Sequence, residues 1–481
     1  MQPASMTRKI LAITLALTGV VAGAASAQVK PPGAGPLRPY AFPRVEQFTL
    51  GNGLKVILVE KHTLPIVEGR IIVDAGAIRE PSSRNGLASL AGRLLSEGAG
   101  NLSSAEIARQ MESMGASYSA GGGFNNSFAD VVALKNVFSD ALALAAQTVI
   151  NPSFPESEFG RVKNQALAAY QQRRAQAASL AADAFILAAF DTTAPFSRPP
   201  AGTTASITGL TRDDVVSWHR SMYAPSAATL LLVGDITPAE ARNVAQRAFG
   251  GWTATRAAMS PVANPMQKYT GSRIIIVDRP GSVQSSVIIG QAGFQATDPD
   301  YLSMLALNHV LGGAVSSRLN TNLREKHGYT YGIFSSLDLR AGAGAYQVSS
   351  EIRTSATDSA LVEAIGEYRR IVTDPVPGPE LQSAVNNLVS SFPSAVQSVQ
   401  ALTGRLQSLI VWGLPVDFYA TYRERLAAVT ADDVRRVASS RLTPDNMIIV
   451  VAGDASKIEA PIRARNFGTV EVWDQQGNKL R

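Results

Sequence analysis

The chain has 481 residues, 44 Lys and Arg against 38 Asp and Glu for a formal net charge of +6, four His and no Cys. The missing Cys excludes a disulfide scaffold, Cys-ligated zinc or iron–sulfur sites and a thiol nucleophile, and His62, His219, His309 and His327 are too scattered for two of them to ligate one metal from a single helical turn. With 46% hydrophobic and 17% charged residues the composition is that of a globular protein, and its basic residues alternate with acids instead of forming the stripe a nucleic acid requires.

In chain order, residues 1–27 read as a secretory signal. Arg8 and Lys9 open it, Ile10 to Val21 form a short apolar run, and Ala25-Ser26-Ala27 supplies the small-residue cleavage site. The run is short for a membrane span, and no later stretch approaches 18 uninterrupted apolar residues, so the mature chain is expected to carry no integral span. Export across the inner membrane into the periplasm is the expected destination. A Pro- and Gly-rich leader follows over 28–45, with Pro31, Pro32, Gly33 and Pro36. A second break, through Gly250, Gly251, Pro261 and Pro265, divides the remainder into an N-terminal domain over 46–252, a linker over 253–270 and a C-terminal domain over 271–481.

Within the first domain, Leu54 to Val59 and Ile66 to Val73 read as strands. Helices are expected over Gly86–Ser96 and Ser103–Met114, the latter stopped by Gly115, and Phe154-Pro155-Glu156 opens a long helix with Glu156 and Glu158 in its first turn. Thr229 to Val233 closes the domain as a buried strand. The second domain repeats this with strands at Arg273–Val277 and Ser286–Ile289, a helix at Leu302–Leu311 and a closing strand at Met447–Val451. An offset of 219 residues superimposes Thr211-Arg-Asp-Asp-Val215 on Thr430-Ala-Asp-Asp-Val434 at four of five positions, with Ser221 on Ser440, Pro225 on Pro444 and Gly234-Asp235 on Gly453-Asp454. Eight identities at one offset indicate a duplicated unit. The expected fold is therefore α+β, with two homologous domains in which helices pack on a mostly antiparallel sheet. Gly121-Gly122-Gly123 lacks the strand and Lys of a phosphate loop and reads as a flexible turn, and the Ser-rich stretches at Ser335 and Ser390 have no general base nearby.

Several segments together resemble the pitrilysin/insulinase-type zinc metallopeptidases, the inverzincin family that includes mitochondrial processing peptidase and the cytochrome bc1 core proteins. They are Thr49-Leu50-Gly51-Asn52-Gly53-Leu54, Ala75-Gly76, Gly86-Leu87-Ala88, Gly312-Gly313 with Ser316-Ser317-Arg318-Leu319, and Leu323-Arg324-Glu325-Lys326-His327-Gly328-Tyr329-Thr330-Tyr331. The resemblance covers essentially the whole mature chain and implies a pair of domains forming half of a clamshell around a peptide.

Active members of that family carry H-x-x-E-H on the helix after Gly-Leu-Ala, two His for zinc and a Glu as general base. In the same register this chain has Ser89, Gly92 and Arg93, and the third ligand position falls near Ala168-Ala169-Tyr170. Ser89 is a poor ligand, Gly92 cannot take a proton, and Arg93 at about 4 Å from Zn²⁺ in an effective dielectric of about 20 would repel it by roughly 8 kcal/mol. No metal or other cofactor is expected in this chain. The family's other element, an Arg and a Tyr seven residues apart that hold substrate and stabilise the tetrahedral intermediate, matches Arg324 and Tyr331. Locally, Leu319 to His327 reads as a helix capped by Gly328, after which Tyr329, Tyr331 and Ile333 alternate on one strand face. Local sequence alone favours an Arg paired to a neighbouring carboxylate and a core Tyr, and Tyr329 competes with Tyr331 for the role. The resemblance thus implies a secreted, non-metal-binding subunit of a heterodimeric zinc endopeptidase, lending Arg324 and Tyr331 to a homologous partner that carries H-x-x-E-H and the zinc. The alternative is a pseudopeptidase acting only in peptide binding or complex assembly.

Overall fold

A computed structural model describes residues 39–481 except 260, 261, 263 and 264; the expected signal segment and residues 28–38 of the leader lie outside the described residues. Among the described residues, the strands of five residues or more build two six-stranded sheets. The first contains β1 (Val45–Thr49), β2 (Lys55–Glu60), β3 (Ile66–Val73), β4 (Ser117–Gly122), β5 (Ser127–Leu134) and β6 (Ala228–Gly234), in the order β1-β2-β6-β3-β5-β4. The second contains β7 (Arg273–Asp278), β8 (Gln284–Phe294), β9 (Thr330–Arg340), β10 (Gly342–Arg353), β11 (Ile448–Gly453) and β12 (Thr469–Trp473), in the order β9-β10-β8-β11-β7-β12. Seven of their ten pairings are antiparallel; β2 with β6, β7 with β11 and β7 with β12 run parallel.

The sheets repeat one another at the offset seen in the sequence. Shifted by 219, β6 falls on β11, β3 on β8 and β5 on β10, and the helix Arg212–Met222 coincides with Ala431–Arg441. Both of these helices begin with the same capping box, in which the Thr211 or Thr430 hydroxyl accepts from the amide of Asp214 or Asp433 and the Asp carboxylate accepts from the Thr amide. The sheets differ at one edge, where β1 pairs antiparallel with β2 but β12 pairs parallel with β7.

The helices of eight residues or more used below are α1 (Leu87–Leu94), α2 (Ser104–Ser113), α3 (Lys135–Ile150), α4 (Glu156–Arg174) and α5 (Ala177–Ala189) in the first half. In chain order they continue with α6 (Arg212–Met222), α7 (Pro238–Phe249), α8 (Tyr301–Leu311), α9 (Thr357–Thr373), α10 (Gly378–Ser391) and α11 (Val399–Trp412). The halves exchange one helix each. α5 packs on β8 and β11 of the second sheet, burying Leu180, Ala184 and Phe185 against Ile275, Ile288 and Val450. α11, which the offset equates with α5, packs on β3 and β6 of the first sheet and buries Leu402, Leu406 and Leu409. This exchange explains why the closing strands read as continuous apolar runs: every residue of β11 is buried, because a sheet covered on both faces has no wet side to alternate toward. None of the described helices is long and apolar enough to cross a membrane.

Candidate functional site

The degenerate metal motif lies on α1. Glu80 holds the N-terminus of this helix, accepting from the amides of Gly86 at 3.0 Å and Ala88 at 2.5 Å, where the helix dipole favours a carboxylate. Burial nonetheless pushes the Glu80 carboxyl up to about 7, outweighing those two amides and the Arg198 guanidinium, which favour the charged form. Leu87, Ala88, Leu90, Ala91 and Leu94 face the core, Ser89 is half-buried, and Arg93 is exposed, its guanidinium without a hydrogen bond or ion pair among the described residues.

Gly92 is buried against the edge strand β4. A Cβ there would stand 2.6 Å from the Gly121 carbonyl oxygen and closer still to the Gly121 carbonyl carbon and the Gly122 nitrogen; one on Gly122 would stand 2.7 Å from the Ala88 carbonyl carbon. Helix and strand touch backbone to backbone, an approach that only glycine permits. Gly121 and Gly122 are accordingly the end of a strand and not the flexible turn their composition suggested. The main chain of β4 occupies the room a carboxylate base at position 92 would need. On α4, Ala168 and Ala169 are exposed, while the ring of Tyr170 lies 5.9 Å from the Arg174 guanidinium. Among the described residues no three His, Cys, Asp or Glu side chains are grouped to hold a metal ion. These residues do not fit a zinc ion, on grounds of both ligand chemistry and space.

The second element is intact and has a different local structure from the one expected. Asn320–Lys326 is a seven-residue π-helical segment, with the His327 amide bonded to the Asn322 carbonyl five residues back. Gly328, at φ +61°, closes it: its amide bonds to Arg324 O and the Tyr329 amide to Leu323 O, turning the chain into β9. Asn320, fully buried, fastens the segment to that strand by donating to Ile333 O at 2.7 Å and accepting from Ile333 N at 3.1 Å. Arg318 makes a two-pronged pair with Glu380 at 2.8 and 2.7 Å.

The start of β9 carries a bulge. Thr330 pairs with Ile352 but Ile333 with Ser350, three steps on one strand against two on its neighbour. The extra residue breaks the expected alternation, so Tyr331 is 92% exposed while Ile333 is 1% exposed. Arg324 is brought beside Tyr331, its guanidinium carbon 5.3 Å from the ring centre, and pairs with the neighbouring Glu325 at 3.3 Å. Tyr329 is occupied differently, stacked on the His327 ring at 5.0 Å and 17°. Of the two candidate tyrosines, Tyr331 is the one that presents its phenol outward next to a guanidinium. Such a pair offers two donors to a developing oxyanion. Asn320, Glu80 and the bulge escaped sequence reading, because none has a local signature in spacing or composition.

Two family profiles match the chain: one described as Insulinase (Peptidase family M16) over residues 55–203, and one described as Peptidase M16 inactive domain over residues 209–388. An uncharacterized zinc protease of Streptomyces coelicolor is 29% identical over 50% of this chain, and the match spans about half of that relative, 53% of its length. A probable mitochondrial-processing peptidase subunit beta of Schizosaccharomyces pombe is 24% identical over 90% of this chain and 96% of its own. A non-peptidase homolog of Helicobacter pylori is 21% identical over 84% of this chain and 92% of its own. Among solved structures, a peptidase M16 inactive domain from Pseudomonas fluorescens superimposes with a TM-score of 0.80 at 26% identity, covering 85% of this chain and 98% of that one. With the metal and base positions replaced by Ser89, Gly92 and Arg93 and the space above Gly92 filled by β4, the chain belongs to the insulinase (M16) peptidase family as a member without the family's own metal and base residues.

Proposed function

We propose that this chain is the exported, periplasmic, non-metal-binding subunit of a two-chain zinc endopeptidase, forming one half of a clamshell whose other half is a homologous subunit with an intact H-x-x-E-H. The observation that carries the reading is the pairing of an exposed Tyr331 with Arg324 on a bulged, anchored hairpin, in a chain whose own metal site is lost. An exposed Tyr in water contributes little to folding, so a π-helical turn, a left-handed glycine and a buried Asn that converge to hold it out point to a role in contact with another molecule. Zinc bound in the partner would supply the activated water; Arg324 would hold the substrate main chain and Tyr331 would donate to the tetrahedral oxyanion, worth about 3 kcal/mol per donor. That the relatives include a subunit of a mitochondrial processing peptidase supports a paired assembly.

The test is reconstitution with the homologous chain that carries the motif. The isolated chain is expected to cleave nothing and to hold no stoichiometric zinc, and the complex to cleave peptides. Arg324→Ala combined with Tyr331→Phe is expected to lower kcat of the complex by two to four orders of magnitude with assembly unchanged. Undiminished activity of that variant complex would refute the catalytic share. It would favour the second reading, a pseudopeptidase acting in peptide binding or assembly, to which the non-peptidase Helicobacter relative lends support.

A further inference from the structure

At the seam where α11 of the second half lies on the first sheet, one largely buried cation sits between two carboxylates. Arg70, on β3, donates from Nη2 to Glu68 at 3.0 Å on its own strand, from Nε to Asp130 at 2.8 Å on β5, and from Nη1 to Gln407 at 2.8 Å on α11. Glu68 is fully buried, and its second oxygen, Oε2, has no hydrogen-bond partner. Around Glu68 the charged groups are Arg70 on its own strand and Asp130 on β5; α11 contributes the uncharged Thr403 and Gln407, and β6 the apolar Val233 and Leu231 across from Glu68 and Arg70. Gln407 also donates to Asn126 at 3.3 Å, completing a polar bridge from α11 to the loop before β5.

Two carboxylates, Glu68 fully and Asp130 largely buried, beside a single guanidinium cannot both stay ionised without leaving net negative charge in the seam. One shared proton neutralises the cluster. It also supplies the unpartnered Oε2 with a hydrogen to donate, as an ionised carboxylate could not. Burial and the neighbouring Asp130 push the Glu68 carboxyl up to about 8, against the pull of Arg70. The position equivalent to Glu68 in the second half is Val287, so the device belongs to one seam alone.

We infer that Glu68, Arg70 and Asp130 form a proton-operated latch that keeps α11, and with it the second half, docked on the first sheet while one proton is shared between the two carboxylates. Loss of that proton leaves an uncompensated charge facing Thr403 and Gln407 and loosens the helix. The linkage has a definite sign: the folded seam holds its proton more tightly than the unfolded chain does, so docking is strongest below about pH 4.5, weakens as pH rises toward about 8 and is level beyond it.

Hydrogen exchange on the full chain tests this, with protection factors corrected for the intrinsic pH dependence of exchange. The amides of Leu402 to Gln407 are expected to lose about tenfold protection between pH 6 and pH 7. Those of α5, which packs on the other sheet, serve as the reference and are expected to lose none. In Glu68→Gln, permanently neutral and of the same shape, the α11 protection is expected to stay flat over that range. Asp130→Asn, which removes the neighbouring charge but not the burial that raises Glu68, is expected to lose clearly less protection than the native chain and serves if the Gln variant fails to fold. Equal loss in α5 and α11, an unchanged α11 in the native chain, or native pH dependence in both variants would overturn the latch.

Discussion

Replacing Gly92 by Ala sets two effects of opposite sign against each other, and the structure decides between them. In the middle of α1, Ala is favoured over Gly by about 1 kcal/mol through backbone entropy alone. The added methyl, however, would meet the Gly121 carbonyl oxygen at 2.6 Å, and two further main-chain atoms of β4 more closely still, where ordinary carbon contacts lie near 3.5 to 4 Å. These are backbone atoms of a strand already paired with β5, with no side-chain rotamer to yield, so helix and strand must part by about 1 Å. Overpacking of this kind costs about 1 to 3 kcal/mol, and occasionally more, as measured in whole proteins. We expect Gly92→Ala to be destabilising by about 2 kcal/mol, read as a lower urea midpoint with an unchanged m-value. Gly160→Ala in α4 is the control: a Cβ there meets nothing within 4 Å, and the substitution is expected to stabilise by about 0.5 to 1 kcal/mol. A Gly92→Ala protein as stable as the Gly160→Ala one would refute the close contact, and with it the conclusion that β4 fills the base position. The same reasoning predicts that rebuilding the motif with Ser89→His, Gly92→Glu and Arg93→His yields a less stable protein that still does not retain zinc on dialysis.

Two further predictions concern anchoring groups. Because burial raises the Glu80 carboxyl from an ordinary 4.5 to about 7, its stabilising contribution is complete below about pH 4.5 and fades as pH rises toward 7. Glu80→Gln is therefore expected to flatten the dependence of Tm on pH in that window, and an unchanged slope would place the titration elsewhere. Asn320→Ala strands the buried amide and carbonyl of Ile333 and is expected to cost about 2 to 3 kcal/mol in urea unfolding, with faster exchange of the Ile333 amide; loss of stability without that local change would mean the amide bridge does not anchor the hairpin.

Features that depend on local chemistry and on register along one chain are legible before any folding is known. The paired Thr-x-x-Asp caps, the apolar closing strands and the 219-residue offset announced a duplicated sheet-and-helix unit, because capping and burial are written within a few residues of each other. The loss of the metal ligands at Ser89, Gly92 and Arg93 was likewise legible, since a ligand is a residue type at a position. Other features required the tertiary structure. That β4 closes over Gly92 depends on Gly121 and Gly122, about thirty residues away, whose glycines look like a turn until the helix is laid against them. Tyr331 points outward through a bulge, a mismatch between two strands that neither strand encodes alone, and simple alternation put it wrongly on the face of Ile333. The reciprocal exchange of α5 and α11, and the cluster of Glu68, Arg70 and Asp130 under Gln407, bring together side chains up to 337 residues apart. Only packing sets such distances, because the free energy that fixes them is area removed from water between elements and leaves no period in the sequence of either.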